Sequence, residues 1–366
     1  MPSSRDPNVT YELRPMDPAD EVALLARRVP KAEMHMHHMG SLSPSEQARL
    51  YQRAHGRAFG RDAANAAYDL RGVGKFFDDL DVAVRLWPDA PAVTLGVLRM
   101  LAAAYDRGVR HLELLCTPDL HVAEIGMPPD VLLTAVGEGF AVARDELGLT
   151  GGIIVEMHRF DGPDVALKLV EETAPLRERG VPVLGYGNDG DHRTVPFEAL
   201  APAYDRARAE GFRTTGHADE LEDVVAALDI GLDRIDHGWM AADDPAVLRR
   251  LQDSGAGLTF TPSGYAVGGL DSVSPWHEAW TVLHAAGVPL AIGTDDPELH
   301  HTDLAASYAM LAAKLGWGKA EVGAAAKASF AMAWYEADDG LDAAAERAAW
   351  AAEIDALVGD PRSPRR

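Results

Sequence analysis

Residues 206–220 read RARAEGFRTTGHADE. An Ala- and Arg-rich helical stretch runs into Gly211, a short β-like run (212–216) follows, and the polar cluster His217-Ala218-Asp219-Glu220 stands where that run ends. Glycine at the close of a helix supplies the left-handed backbone that a helix C-terminus calls for. The same grammar recurs along the chain, with AAAYDRGVR, LRERGVP, RLQDSGAG and LHAAGVP each ending a helical stretch in glycine. Candidate strands fall at 32–37 (AEMHMH), 111–116 (HLELLC), 152–157 (GIIVEM), 182–186 (PVLGY), 212–216 (FRTTG), 233–236 (DRID), 256–260 (AGLTF) and 289–293 (PLAIG). Strands alternating with helices make βαβ units and a parallel sheet. No Gly-rich dinucleotide fingerprint follows the first strand. The expectation is therefore an α/β protein, a closed (β/α)8 TIM barrel rather than a doubly wound sheet.

Residues 43–108, between the first two strands, are too many for one helix and read as a helical insertion forming a lid on the top face. Residues 1–18 are rich in Pro, Ser and Asp and read as a flexible N-terminal arm, and 359–366 (GDPRSPRR) as a disordered tail. A single barrel domain is expected over 19–358.

The chain has 366 residues, 47% hydrophobic and 25% charged, the ordinary mix of a globular protein. No apolar run reaches the length of a membrane span, and the first residues carry no apolar stretch of the secretory type. A cytoplasmic location and no membrane partner are expected. With 34 basic against 57 acidic residues the formal charge is −23, a surface that repels phosphate backbones, so no nucleic-acid partner is expected. The single cysteine, Cys116, excludes a disulfide framework and a multi-cysteine zinc site.

In a (β/α)8 barrel the chemistry sits at the C-terminal ends of the strands. The first candidate strand ends in His35-Met36-His37, and residues two apart on a strand point the same way, so both imidazoles face the barrel axis. The fifth runs into His217, the sixth into Asp236-His237-Gly238, and the eighth into Thr294-Asp295-Asp296-Pro297. Each motif alone has an ordinary explanation: a strand histidine, a loop histidine, an Asp cap with Pro opening a helix. Together, in order and each at a strand end, they describe a mixed nitrogen and oxygen site for a divalent ion from His35, His37, His217 and Asp295. Such a set suits Zn, Fe, Co or Ni. An ion there lowers the pKa of bound water toward 7, and Glu220 and His237 stand ready as acid–base partners.

These residues resemble the adenosine/adenine deaminase family. PKAEMHMHHMGSL (30–42) is similar to the family's opening signature, HADE (217–220) to its H-A-G-E, RIDHG (234–238) to its R-[LIV]-[GD]-H-G, and TDDP (294–297) to its [ST]-D-D-P. The likeness runs in register from about residue 29 to about 335, closing near KASFAMAW (327–334). It implies a barrel with one Zn2+ per chain on His35, His37, His217 and Asp295, and hydrolytic deamination of a small aminopurine. It implies that Glu220 protonates the ring nitrogen beside the amine-bearing carbon, that His237 orients and deprotonates the water, and that Asp296 bonds the imidazole edge of the purine. Gly190 aligns with a glycine whose N–H meets the far ring nitrogen, and Phe76 and Leu80 with apolar residues of the lid helix. Ordinary helix packing explains those two equally well.

Several positions depart from the family pattern. Met39 stands where nucleoside enzymes carry an acid that contacts the sugar hydroxyl, with His38 before it. A thioether cannot accept a strong hydrogen bond from a sugar, but it suits an apolar 5′ substituent or a free-base pocket. Asp219 replaces the glycine of H-A-G-E. Asp236 matches the adenine-type branch, whereas Gly190-Asp191-His192 leans toward the nucleoside branch. Leu115 stands where an arginine usually follows the glutamate matched by Glu113, and His300 and His301 read as surface loop residues. The expected activity is deamination of adenosine or a 5′-modified adenosine. The alternatives are free adenine, another aminated heterocycle, and a non-catalytic ligand-binding barrel. The sequence leaves the oligomeric state open.

Overall fold

The structure, a computed structural model, describes residues 18–56, 84, 87–190, 195–267, 276–335 and 343–360. Its strands are β1 (Lys31–His37), β2 (Val109–Cys116), β3 (Thr150–His158), β4 (Val183–Asp189), β5 (Arg213–Thr214), β6 (His217–Ala218), β7 (Arg234–His237), β8 (Gly257–Phe260) and β9 (Leu290–Ile292). All pairings are parallel, in the orders β1-β2-β3-β4-β5 and β6-β7-β8-β9. Every strand residue except Arg110, His158, Asp189 and Arg213 is buried, as expected for a parallel sheet wrapped in helices.

The expected fifth strand is split, which is why the described residues hold nine strands where the sequence reading has eight. At the break, Gly216 lies so close to its neighbours that a Cβ would come 2.1 Å from Asn188 Oδ1 and 2.7 Å from the Tyr204 hydroxyl. The backbone still carries the barrel across the gap: Thr215 N–H donates to Tyr186 O at 3.0 Å, and Asp236 N–H donates to Gly216 O at 2.9 Å. The other seam closes through His37 N–H to Asp295 O at 2.8 Å and Asp295 N–H to His35 O at 2.8 Å. The result is the expected TIM barrel.

Helices with amphipathic faces form the outer ring, among them Pro129–Leu147, Pro163–Thr173, Leu221–Ile230 and Pro245–Ser254. Pro245–Ser254 closes as expected at Gly255, with φ 71, and at its other end the Asp244 carboxylate accepts from the N–H groups of Ala246 and Val247. Of the expected insertion, Pro44–His55 is a helix, but Ala90–Tyr105 packs on Pro129–Leu147 and β2 and so belongs to the ring. The lid reading thus does not extend over Ala90–Tyr105, the ordinary crossover helix of the first βαβ unit. Phe76 and Leu80 lie outside the described residues. The first helix begins at Pro18 and the last ends at Gly359, so the expected arm and tail fall mainly on 1–17 and 361–366, also outside them.

Buried polar side chains of β2 and β7 also meet each other. Trp334 N–H donates to Glu113 Oε1 at 2.6 Å, and Arg234 Nη2 meets Glu113 Oε2 at 2.8 Å while its guanidinium lies over the Trp334 ring. Glu113 and Arg234 are both buried, and a buried pair of this kind is costly to break by removing one partner.

Candidate functional site

The C-terminal ends of β1, β6 and β9 bring His35, His37, His217 and Asp295 together. His37 Nε2 and His217 Nε2 are 3.1 Å apart, and Asp295 Oδ1 lies 3.5 Å from His37 Nε2 and 4.0 Å from His35 Nε2. Each imidazole is anchored by its other nitrogen. His35 Nδ1 donates to Thr259 Oγ1 at 2.8 Å, because the Thr259 hydroxyl itself donates to Asp236 Oδ1 at 2.7 Å. His37 Nδ1 faces Glu156 Oε2 at 3.1 Å, and His217 Nδ1 donates to Asn188 O at 2.6 Å. All three rings therefore turn their Nε2 atoms toward one small space. His35 Nε2 is buried there with no hydrogen-bond partner. Converging lone pairs beside a carboxylate repel one another unless a cation lies between them, so this donor set fits a divalent metal ion.

The carboxylates around the cluster favour positive charge on it. Burial holds His35 well below the ordinary histidine range. Burial also works to lower His37, yet Glu156 and Asp296 carry it well above that range. His217 is raised to about 9, with burial outweighed by Glu156 and Asp189. Asp295 is held well below the carboxylate range: burial opposes this, and His35, His300 and His37 outweigh it. Two site residues, His237 at φ 63 and Asp295 at φ 65, have left-handed backbone, strain of the kind that collects at functional sites.

His237 stands beside the cluster, with ring centroids 4.7 Å from His35 and 5.2 Å from His217. Its Nδ1 is 3.1 Å from the Tyr265 hydroxyl, and its Nε2 is 3.8 Å from Asp219 Oδ1. Burial lowers its pKa. Asp296 is buried, and burial together with Asp295 pushes its carboxyl well up. It lies tight against the turn after β1, where a Cβ on Gly40 would come 2.0 Å from Asp296 Oδ1. Met39, next to that glycine, is 1% exposed. Glu220 is exposed at the rim, at the N-terminus of helix Leu221–Ile230. Gly190 follows β4 at φ 106, and its N–H donates to Asp189 Oδ1 at 2.6 Å, so the amide expected to face a ligand is already bonded.

Other residues are placed differently from the sequence reading. His300 is 9% exposed rather than a surface residue, because the turn after β9 folds it back to within 3.4 Å of Thr294 O, while His301 is exposed. Asp219, with its side chain 47% exposed, adds a carboxylate at the mouth. Glu156, Thr259 and Asn188, which hold the backs of the three imidazoles, went unnoticed in the sequence. The available signal was a lone glutamate in the apolar run GIIVEM, two residues beyond Ile154 on the same strand face.

A family model described as adenosine deaminase matches residues 30–346. An adenine deaminase of Agrobacterium fabrum is 32% identical over 302 residues, covering 80% of this chain and 90% of that protein. One of Cupriavidus pinatubonensis is 29% identical over 314 residues, covering 84% and 88%. Among solved structures, an amidohydrolase from Burkholderia ambifaria with bound zinc superposes with a TM-score of 0.81 at 28% identity, covering 94% of each chain. An adenine deaminase from Arthrobacter aurescens shares the fold, with a TM-score of 0.79 at 22% identity, covering 91% and 100%.

Proposed function

This chain belongs to the adenosine deaminase family and is a metal-dependent aminohydrolase of adenine- or adenosine-like purines; from that premise we propose that it removes the 6-amino group of an adenosine bearing an apolar 5′ substituent. Water adds at C6, the C–N bond breaks, and the products are ammonia and the 6-oxo purine. The observation that carries the reading is the meeting of three anchored imidazoles and Asp295 around the unpartnered His35 Nε2. We assign one zinc ion to His35, His37, His217 and Asp295. When bound, such an ion activates water for attack at neutral pH.

The remaining roles fall to the chain's own groups. His237, its Nδ1 engaged by Tyr265, keeps Nε2 to orient the water and take its proton. Glu220, at the rim, protonates the ring nitrogen next to C6. Asp296 bonds the imidazole edge of the purine, fixed in place by its packing against Gly40. Gly190 borders the base, and for its N–H to reach a ring nitrogen it must leave Asp189. Buried Met39 offers a thioether to the 5′ side, which favours an apolar substituent over a free hydroxyl.

Free adenine is the second reading. It is supported by the names of the curated relatives and by Asp236, the residue shared with the adenine-type motif. An ammonia-release assay across adenine, adenosine, 5′-deoxyadenosine and 5′-methylthioadenosine tests both. Highest kcat/KM on the 5′-modified nucleosides supports the first reading, highest on adenine supports the second, and no turnover of any of them overturns both.

A further inference from the structure

Glu156 is a buried carboxylate that the deamination chemistry does not call for, near the C-terminal end of β3 after the apolar run Ile153-Ile154-Val155. Its Oε2 accepts the Thr117 hydroxyl at 3.0 Å and faces His37 Nδ1 at 3.1 Å. Its Oε1 lies 3.5 Å from His217 Nδ1 and has no hydrogen-bond partner. The space it crosses is open because β3 pairs it with Gly187 on β4, where a side chain would begin 3.7 Å from Glu156 Cγ and 3.3 Å from Thr215 Cγ2. A single carboxylate on β3 thereby reaches the backs of imidazoles from β1 and β6.

Its position relative to those rings decides what it does. Glu156 lies on the Nδ1 edges, whereas Asp295 lies by the Nε2 of His37. It therefore does not share an ion with Asp295. It does not complete a second site with His217 either, since that Nδ1 gives its proton to Asn188 O at 2.6 Å and has no lone pair left. What remains is a charge-assisted hydrogen bond to one ligand histidine and a negative charge close behind another. A buried carboxylate without a compensating positive charge is expensive, and a divalent ion in front of the two imidazoles supplies that charge.

We propose that Glu156 is a positioning residue of the metal centre: it holds His37 with its proton on Nδ1 and Nε2 toward the ion, and its charge retains the ion. This rests on the ligand assignment above, so the experiment separates the two. Holoenzyme of wild type, Glu156→Gln, Thr117→Val and His217→Ala is titrated with a chromophoric zinc chelator, with zinc per chain and the melting temperature of the metal-stripped forms measured alongside. Glu156→Gln keeps the shape and removes the charge, and its zinc affinity falls about 10- to 100-fold, the range known for partners of metal-bound histidine. The metal-free melting temperature stays near that of wild type. Thr117→Val, which removes one hydrogen bond to Glu156, shifts affinity in the same direction by less, and it carries the test if Glu156→Gln fails to fold. Wild-type zinc affinity in folded Glu156→Gln, with zinc lost from His217→Ala, overturns the role of Glu156 and leaves the ligands standing. Full zinc in His217→Ala overturns the ligand assignment itself. Two ions per wild-type chain, one of them lost in Glu156→Gln, makes Glu156 a ligand and overturns the positioning role.

Discussion

His35 Nδ1 and Asp236 Oδ1 lie 3.6 Å apart, with the Thr259 hydroxyl serving both: its oxygen accepts from His35 at 2.8 Å and its proton goes to Asp236 at 2.7 Å. Asp236 also accepts the Thr215 hydroxyl at 2.6 Å and lies 4.0 Å from Arg234 Nε, which continues the chain to Glu113 and Trp334. The aspartate of RIDHG thus belongs to a chain of buried polar contacts that ends at the first imidazole of the histidine cluster. Its position in the motif reports on how His35 is held as much as on the substrate.

Thr259→Val tests those contacts. The valine matches the shape but leaves His35 Nδ1 without an acceptor and takes one donor from Asp236, at a cost of about 1–3 kcal/mol. Urea denaturation of the metal-free protein should show a lower midpoint with an unchanged slope. A midpoint equal to that of wild type would mean that water takes the hydroxyl's place.

Gly40→Ala tests the placement of Asp296. The new Cβ would occupy the position 2.0 Å from Asp296 Oδ1, so the carboxyl has to move. A displacement of about 1 Å at a group that orients substrate costs on the order of 100-fold in kcat/KM. The expected result is that loss with zinc content unchanged. Full activity would remove Asp296 from the substrate contacts.

Acid stability should depend on His121. Burial lowers this side chain to about 4 from an ordinary 6.5, and its ring stacks on His38 with centroids 4.9 Å apart. Between pH 6.5 and 4 the unfolded chain binds a proton that the folded chain refuses. Stability from this group is therefore complete above about pH 6.5 and is lost as pH falls toward 4, by about 3 kcal/mol in all. His121→Phe should flatten that part of a stability–pH curve recorded by denaturant unfolding. An unchanged acid limb would show that His121 accepts a proton within the fold.

Glu220→Gln and His217→Ala should fail in different ways. The first keeps zinc and loses turnover by about 100- to 10,000-fold, the usual range for a general acid or base. The second loses zinc and activity together. Metal analysis beside an ammonia assay reads both, and near-normal turnover in Glu220→Gln would assign the proton donor elsewhere.

Much of this molecule could be read from local signals in the chain. The helix-ending glycines, the β-like runs after them and the polar residues at strand ends place the strands close to where they lie, because caps and side-chain alternation act over a few residues. The pair His35-Met36-His37, His217 and Asp295 were legible for the same reason. What tertiary structure alone decided is which distant groups meet. Glu156 reaches His37 across 119 positions of sequence by virtue of strand register. Thr259 joins His35 to Asp236, Gly40 yields its side-chain space to Asp296, and His300 turns inward, each through the curvature of a closed barrel. Closure brings β1 against β9, and a one-dimensional pattern carries no record of that distance. The residue types of the proposed site were therefore set by the sequence, while the orientation that would let them hold an ion follows from the packing behind them.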